Sequence, residues 1–117
     1  MFLGFDISTS IIGVSCISSH GEIIFCEHCD LRKEKGLFAK IDRFREFLVS
    51  VRFLQAAVRE IWIEEPFVFF SSGGSSGKTM AVLQRFNGMA SVAIRDVFHI
   101  DPQYLGASQA RKLNEIK

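Results

Sequence analysis

Net charge is nearly absent from this sequence. Its 14 Lys and Arg stand against 13 Asp and Glu, a formal +1. That excludes a global basic field as the means of holding nucleic acid; any such binding has to come from a local patch. Long apolar runs are missing too. No stretch approaches the roughly 20 apolar residues that span a bilayer, and the opening "MFLGFDIS" has no basic leader region and reads directly as a strand. These absences point to a cytoplasmic protein with no membrane partner. Cysteine is scarce and odd in number: Cys16, Cys26 and Cys29. An odd count in such a chain argues against a disulfide framework. "CEHCD" frames His28 with a Cys-x-x-Cys, and His20 lies nearby, but a structural zinc site needs a second ligand pair and the sequence has none. The expectation is reduced, packed thiols on an apolar strand. There is no internal repeat.

A missing glycine decides how to read "SSGGSSGKTM", Ser71 to Met80. A nucleotide-binding P-loop is G-x-x-x-x-G-K-[ST], because the backbone needs four residues to wrap a phosphate before its helix begins. Counting back from Gly77, the first glycine belongs at position 72, which is Ser72; Gly73 leaves the loop one residue short. The composition reads instead as a Gly/Ser linker between a strand and a helix.

What is present is apolar material for a core, 48% of residues with 12 phenylalanines, in a length that suits one small domain. "FLGFDIST", "IIGVSCISS" and "EIIFCEHCDL" read as three strands joined by short turns, one of them "HGE", hence an antiparallel meander. "EKGLFAKIDRFREFLVSVRFLQAAVREI" keeps helical apolar spacing through Leu37, Ile41, Phe44, Phe47, Leu48, Val51, Leu54 and Val58 and predicts one long helix. "IWIEE" is a fourth strand, stopped by Pro66. A second helix is predicted from Lys78 to about Phe98, with Leu83, Phe86, Ala90, Ala93 and Val97 on one face and Gly88 as a point of close helix packing. "DPQYLGAS" gives a turn and a short fifth strand, and Ser108 N-caps a third helix. The order βββαβαβα predicts an α/β fold in which an antiparallel part is followed by helical crossovers to parallel strands.

Two acids stand out. Asp6 interrupts an apolar first strand between Phe5 and Ile7, and Glu64 closes the fourth strand after Ile61, Trp62 and Ile63. A buried carboxylate needs a partner or a metal. If the first and fourth strands are neighbours, two like charges lie side by side, which suits a divalent cation between them; oxygen-only ligation selects Mg²⁺ or Mn²⁺ over zinc. Spacing alone leaves a second reading open, in which both are strand-end acids meeting solvent at the sheet rim.

Taken together, "GFDISTSIIG", "IWIEEPF", "RFNGMA" in the second helix and "YLGASQARKL" resemble the RuvC family of Holliday-junction resolvases, nearest its short phage-type members, within the RNase H-like superfamily. The resemblance runs along most of the chain. It implies one RNase H-like nuclease domain over 1–117, a mixed five-stranded sheet with the first three strands antiparallel and the fourth and fifth parallel to the first. By position, Asp6 matches the first-strand catalytic aspartate and Glu64 the fourth-strand glutamate, with Glu65 a second-choice ligand. Ser8, Thr9 and Ser10 occupy the first hairpin, where they could orient metal or phosphate or simply make the turn. Phe67 stands where family members carry an aromatic facing junction DNA; the other reading is a core residue. Lys78 and Thr79 would open a helix whose N–H groups favour a DNA phosphate, and Arg111 and Lys112 resemble basic residues that touch the DNA backbone. The implied activity is Mg²⁺-dependent (or Mn²⁺-dependent) hydrolysis of branched DNA by a homodimer, paired through the second helix with Arg85 and Arg95 at its rim, in a bacterial or phage-infected cell.

One departure bears on this. The family completes its metal site with further acids on a late helix, whereas Asp96, Asp101 and Glu115 are the only late acids here and none sits at the matching place. Either the sequence is a fragment of a longer resolvase, inactive as it stands for want of those acids, or it binds metal weakly and cleaves poorly; the expectation is the fragment, a domain lacking its final helix. Two rival readings stand beside it. "D-x-S-T-S-x-x-G", from Asp6 to Gly13, also opens ATP-binding domains of the actin-like ATPase and sugar-kinase kind, which need two such domains. A non-catalytic DNA-binding module of the same fold is the other.

Overall fold

The computed structural model describes residues 1–65 and 77–106. Its strands are β1 (Phe2–Ile7), β2 (Ile11–Ile17), β3 (Ile23–Asp30), β4 (Glu60–Glu64) and β5 (Gln103–Leu105); its helices are α1 (Leu37–Ser50) and α2 (Gly77–Phe98). They form one five-stranded sheet in the order β3-β2-β1-β4-β5. β1, β2 and β3 pair antiparallel, and β4 pairs parallel to β1 and β5 parallel to β4. This is the expected RNase H-like arrangement. The third helix predicted from Ser108 and the Gly/Ser stretch 71–76 lie outside the described residues.

Alternation along the strands produces two unlike faces. Leu3, Phe5 and Ile7 of β1, Ile12, Val14 and Cys16 of β2, and Ile61 and Ile63 of β4 are buried on one side. That side receives Ile41, Phe44 and Leu48 of α1 and Phe86, Ala90, Ala93, Ile94 and Phe98 of α2 in a single core. Phe44 is fully buried and meets the Phe5 ring edge-on, with centroids 6.1 Å apart and planes at 87°. Residues between the core positions, among them Gly4, Asp6, Gly13 and Trp62, belong to the other face, over which no described helix packs. No helix among the described residues is long and apolar enough to cross a membrane.

The turns follow from side chains the sequence supplies. Ser8 Oγ accepts from the Ser10 and Ile11 amides at 3.3 and 3.1 Å and donates to the Ile11 carbonyl at 2.7 Å, closing the β1–β2 hairpin. Ser18 Oγ does similar work in the β2–β3 turn, accepting from His20 and Glu22, while Gly21 adopts φ +84°.

Four expectations are corrected. The predicted long helix ends at Ser50, and Arg52–Ala57 forms a 3₁₀ segment. Val51, Leu54 and Val58 continue the three-then-four spacing of a helix, but only Leu54 lies within the 3₁₀ segment, and Val51 and Val58 flank it. Tertiary pairing then decides: the Arg59 amide donates to the Met1 carbonyl at 2.8 Å, so the chain has already turned to lay β4 beside β1. Gly88 is exposed, and a Cβ there meets nothing within 4 Å, so it marks no close helix contact. The stripe Phe86, Ala90, Ala93 faces the core and is not an outward surface. Cys26 and Cys29, three apart on a strand, point to opposite faces: Cys29 is buried, but Cys26 is exposed with its Sγ 3.7 Å from Ser15 Oγ. They cannot share an ion or a disulfide, and Cys26 is not a packed thiol.

Two measurements check this fold. Burial pushes the Cys16 and Cys29 thiols up from their ordinary range, so native protein should react with a thiol reagent rapidly at Cys26 and at the other two only on unfolding; fast native modification of Cys29 would contradict the packing. Phe44→Ala should lower stability by about 3–5 kcal/mol in urea unfolding, because it empties the α1–sheet contact.

Candidate metal centre

β1 runs through the middle of the sheet, and its alternation carries Asp6 out of the core that holds Phe5 and Ile7. The β1–β4 register pairs Gly4 with Trp62 and Phe5 with Ile63. Extended by one residue, it sets Asp6 beside Glu64, both on the open face and both at the C-terminal ends of parallel strands. The two side chains line one shallow cavity of about 360 Å³, walled by Trp62 and Leu105. Its floor is kept low by glycine: Gly13 pairs with Asp6 across the β1–β2 ladder, and Gly4 lies two residues before Asp6 on the same face. A Cβ at either glycine would meet nothing within 4 Å, so the space over the strands is open.

Asp6 is exposed and Glu64 half-exposed, so the burial cost that made Asp6 conspicuous in the sequence does not arise. The remaining physical argument is convergence: two carboxylates on neighbouring parallel strands share a cavity and raise its negative potential. Their chemistry fits Mg²⁺, which keeps several waters and is commonly held by one or two carboxylates together with substrate phosphate. Glu27, two strands away, reaches the same cavity. Even so, no group of three or more His, Cys, Asp or Glu suited to a metal occurs among the described residues.

The other predicted residues fall in different places. Glu65 is exposed, and its amide donates to the Leu105 carbonyl at 2.7 Å; by alternation it follows Ile63 away from the open face. Ser8 and Thr9 line a second cavity of about 390 Å³ with Lys78, Thr79, Val82 and Leu83, between the β1–β2 hairpin and the start of α2. Lys40 of α1 donates from Nζ to the Thr9 carbonyl and pins that hairpin. Ser10 is exposed beside it, as are Lys78 and Thr79 in the first turn of α2. Asp96 pairs with Arg45 at 3.2 Å and Asp101 with Arg95 at 2.7 Å, near the end of α2 and before β5, so neither joins Asp6 and Glu64. Phe67, Arg111, Lys112 and Glu115 lie outside the described residues.

Two contributors were not singled out from the sequence. Trp62 forms a wall of the cavity, and the alternation of Ile61 and Ile63 around it was the available signal. Asn87 is buried in α2 and donates from Nδ2 to the Glu64 carbonyl at 3.4 Å. A polar residue set among Phe86, Ala90 and Ala93 was its signal.

No protein-family model matches the chain, and no curated protein matches it. Solved structures do. Thermus thermophilus RuvC in complex with Holliday junction substrate matches with a TM-score of 0.69 at 13% identity, covering 95% of this chain and 67% of that one. A second Thermus thermophilus RuvC structure matches with a TM-score of 0.65 at 15% identity, over 95% of this chain and 66% of that one. The chain thus has a RuvC-like fold and spans about two thirds of the solved chains it resembles.

Because Asp6 stands beside a like charge and holds no part of the core, Asp6→Asn should melt no lower than the wild type in metal-free buffer. Added Mg²⁺ should raise the wild-type melting temperature and leave the variant unmoved. A large loss of stability in the variant without metal would show Asp6 to be a structural residue.

Proposed function

We propose that this chain is a metal-dependent endonuclease domain that cuts branched DNA in the manner of a Holliday-junction resolvase. The observation that supports it is the convergence of Asp6 and Glu64 on the open face of a RuvC-like sheet, at the ends of its two central parallel strands. Asp6 and Glu64 would hold Mg²⁺ or Mn²⁺ by their carboxylate oxygens; Glu27 is the further acid that lines the cavity, and Glu65, the second-choice ligand, would have to turn back to reach it. Bound there, the ion supplies Lewis-acid polarisation of a phosphodiester and an activated water.

The chain's own residues do the rest. The glycine floor at Gly4 and Gly13 lets a DNA backbone approach the carboxylates without a side chain in the way. Lys78 and Thr79, in the first turn of α2, would bring a cation and the positive end of the helix dipole to a neighbouring phosphate, with Ser8 and Thr9 on the facing hairpin and Ser10 beside them. Phe67, Arg111 and Lys112 are proposed as further DNA contacts. A four-way junction needs two symmetric cuts, so the working unit is proposed to be a homodimer. The outward side of α2, where Gly88 and Val92 are exposed between Arg85 and Arg95, replaces the buried stripe as the pairing surface.

The test is cleavage of an end-labelled four-way junction against a linear duplex of the same sequence, with and without Mg²⁺. The expected result is Mg²⁺-dependent nicking of the junction. Asp6→Asn and Glu64→Gln should each lower it by about a hundredfold or more, because several kcal/mol of transition-state stabilisation go with the ion. Junction binding should persist in both variants. Binding without any cutting, in either Mg²⁺ or Mn²⁺, would instead identify a non-catalytic DNA-binding module.

A further inference from the structure

We infer that Asn87 is a positioning residue that sets the placement of Glu64 in the metal centre, an inference that rests on the metal-binding reading above. Asn87 and Ser91 are the buried polar residues among those described, 5% and 6% exposed, in a helix face otherwise made of Phe86, Ala90, Ala93 and Ile94. An asparagine is a poor choice for such a position. It favours caps and turns over helix interiors, and its amide is unfavourable in a core unless hydrogen-bonded. Leucine would pack against the same neighbours without that demand.

The amide is used at one particular point. Asn87 Nδ2 donates to the main-chain carbonyl of Glu64, 3.4 Å away. The β1–β4 ladder runs from Phe2↔Glu60 to Phe5↔Ile63, so Glu64 lies one residue past its last pair. On the far side the next residue is tied to β5, through the Glu65 amide and the Leu105 carbonyl at 2.7 Å. The peptide that carries the Glu64 side chain is thus fixed from beneath by α2 and from the side by β5. Ser91 holds the helix turn in place, donating from Oγ to the Asn87 carbonyl at 2.7 Å. The Glu64 side chain leaves this peptide on the opposite face, toward Asp6. A tether on the core side therefore governs the height and tilt of a carboxylate on the solvent side. Asn87 itself touches neither the cavity nor anything bound in it.

The experiment measures Mn²⁺ affinity from the electron paramagnetic resonance signal of free Mn²⁺, together with the melting temperature. It compares the wild type, Asp6→Asn, Asn87→Leu and, should the leucine variant not fold, Asn87→Ala. Asn87→Leu keeps the volume and removes the donor. It should melt at or above the wild type yet bind Mn²⁺ about tenfold more weakly, the low end of what loss of a group supporting a metal ligand brings. A folded Asn87 variant with wild-type Mn²⁺ affinity overturns the inference and leaves the metal centre standing. Wild-type protein that binds no Mn²⁺ sensitive to Asp6→Asn overturns the metal centre itself, and this inference with it.

Discussion

The parallel pairing of β1 with β4 is the contact on which the open face depends. It brings the start of the chain against residues near its middle: the Met1 ammonium donates to the Ala57 carbonyl at 3.0 Å and the Arg59 amide to the Met1 carbonyl at 2.8 Å. From there the register is set by the core. Ile61 and Ile63 are fully buried, so Glu60, Trp62 and Glu64 have to face the other way. A slip of one residue would place Glu64 under the helices and both isoleucines in water, a change that costs far more than any single surface interaction returns. The position of one acid beside another is therefore held by hydrophobic packing on the side where neither acid lies.

The two faces divide the work. The helix-covered face has large side chains in contact, Phe5 against Phe44 and Phe44 against Phe47, and supplies stability. The open face carries glycines at Gly4 and Gly13 in the interior of strands, where glycine weakens a sheet, and these leave room above Asp6. Residues that are poor for the sheet thus gather around the carboxylates, while residues that are good for it gather behind them. Asn87 is the one buried side chain that links the halves by a hydrogen bond directly to β4 among the described residues.

Much of this could be read from period and order. Alternation identified the strands, the short "HGE" turn made the second and third antiparallel, and an intervening helix made the fourth parallel to the first. Asp6 and Glu64 followed from polar residues in apolar strands. What could not be read was whatever depends on a partner. Val51, Leu54 and Val58 carry on the apolar spacing of α1, yet only Leu54 falls within the 3₁₀ segment, and the need to reach β1 is what ends the helix before them. Gly88 in a helix suggested a close neighbour, but its side of α2 faces outward. Cys26 and Cys29 looked alike in an apolar stretch, yet β3 lies at the sheet edge and its outer residues stay uncovered. Asn87 needed the distance to Glu64 before its polarity acquired a purpose.

The separation along the chain of the β1–β4 contact also bears on how the molecule is assembled. The β1–β2–β3 meander joins near neighbours through short turns, so its loop-closure entropy is small and it can form as soon as that part of the chain exists. The link from Met1 to Ala57 spans 56 positions and waits for α1 and the 3₁₀ segment to bring β4 back. Until that long-range closure occurs, the first strand carries Asp6 with no second carboxylate beside it. The meander can thus gather before the repulsive pair exists, and the two acids meet only when this distant closure is complete.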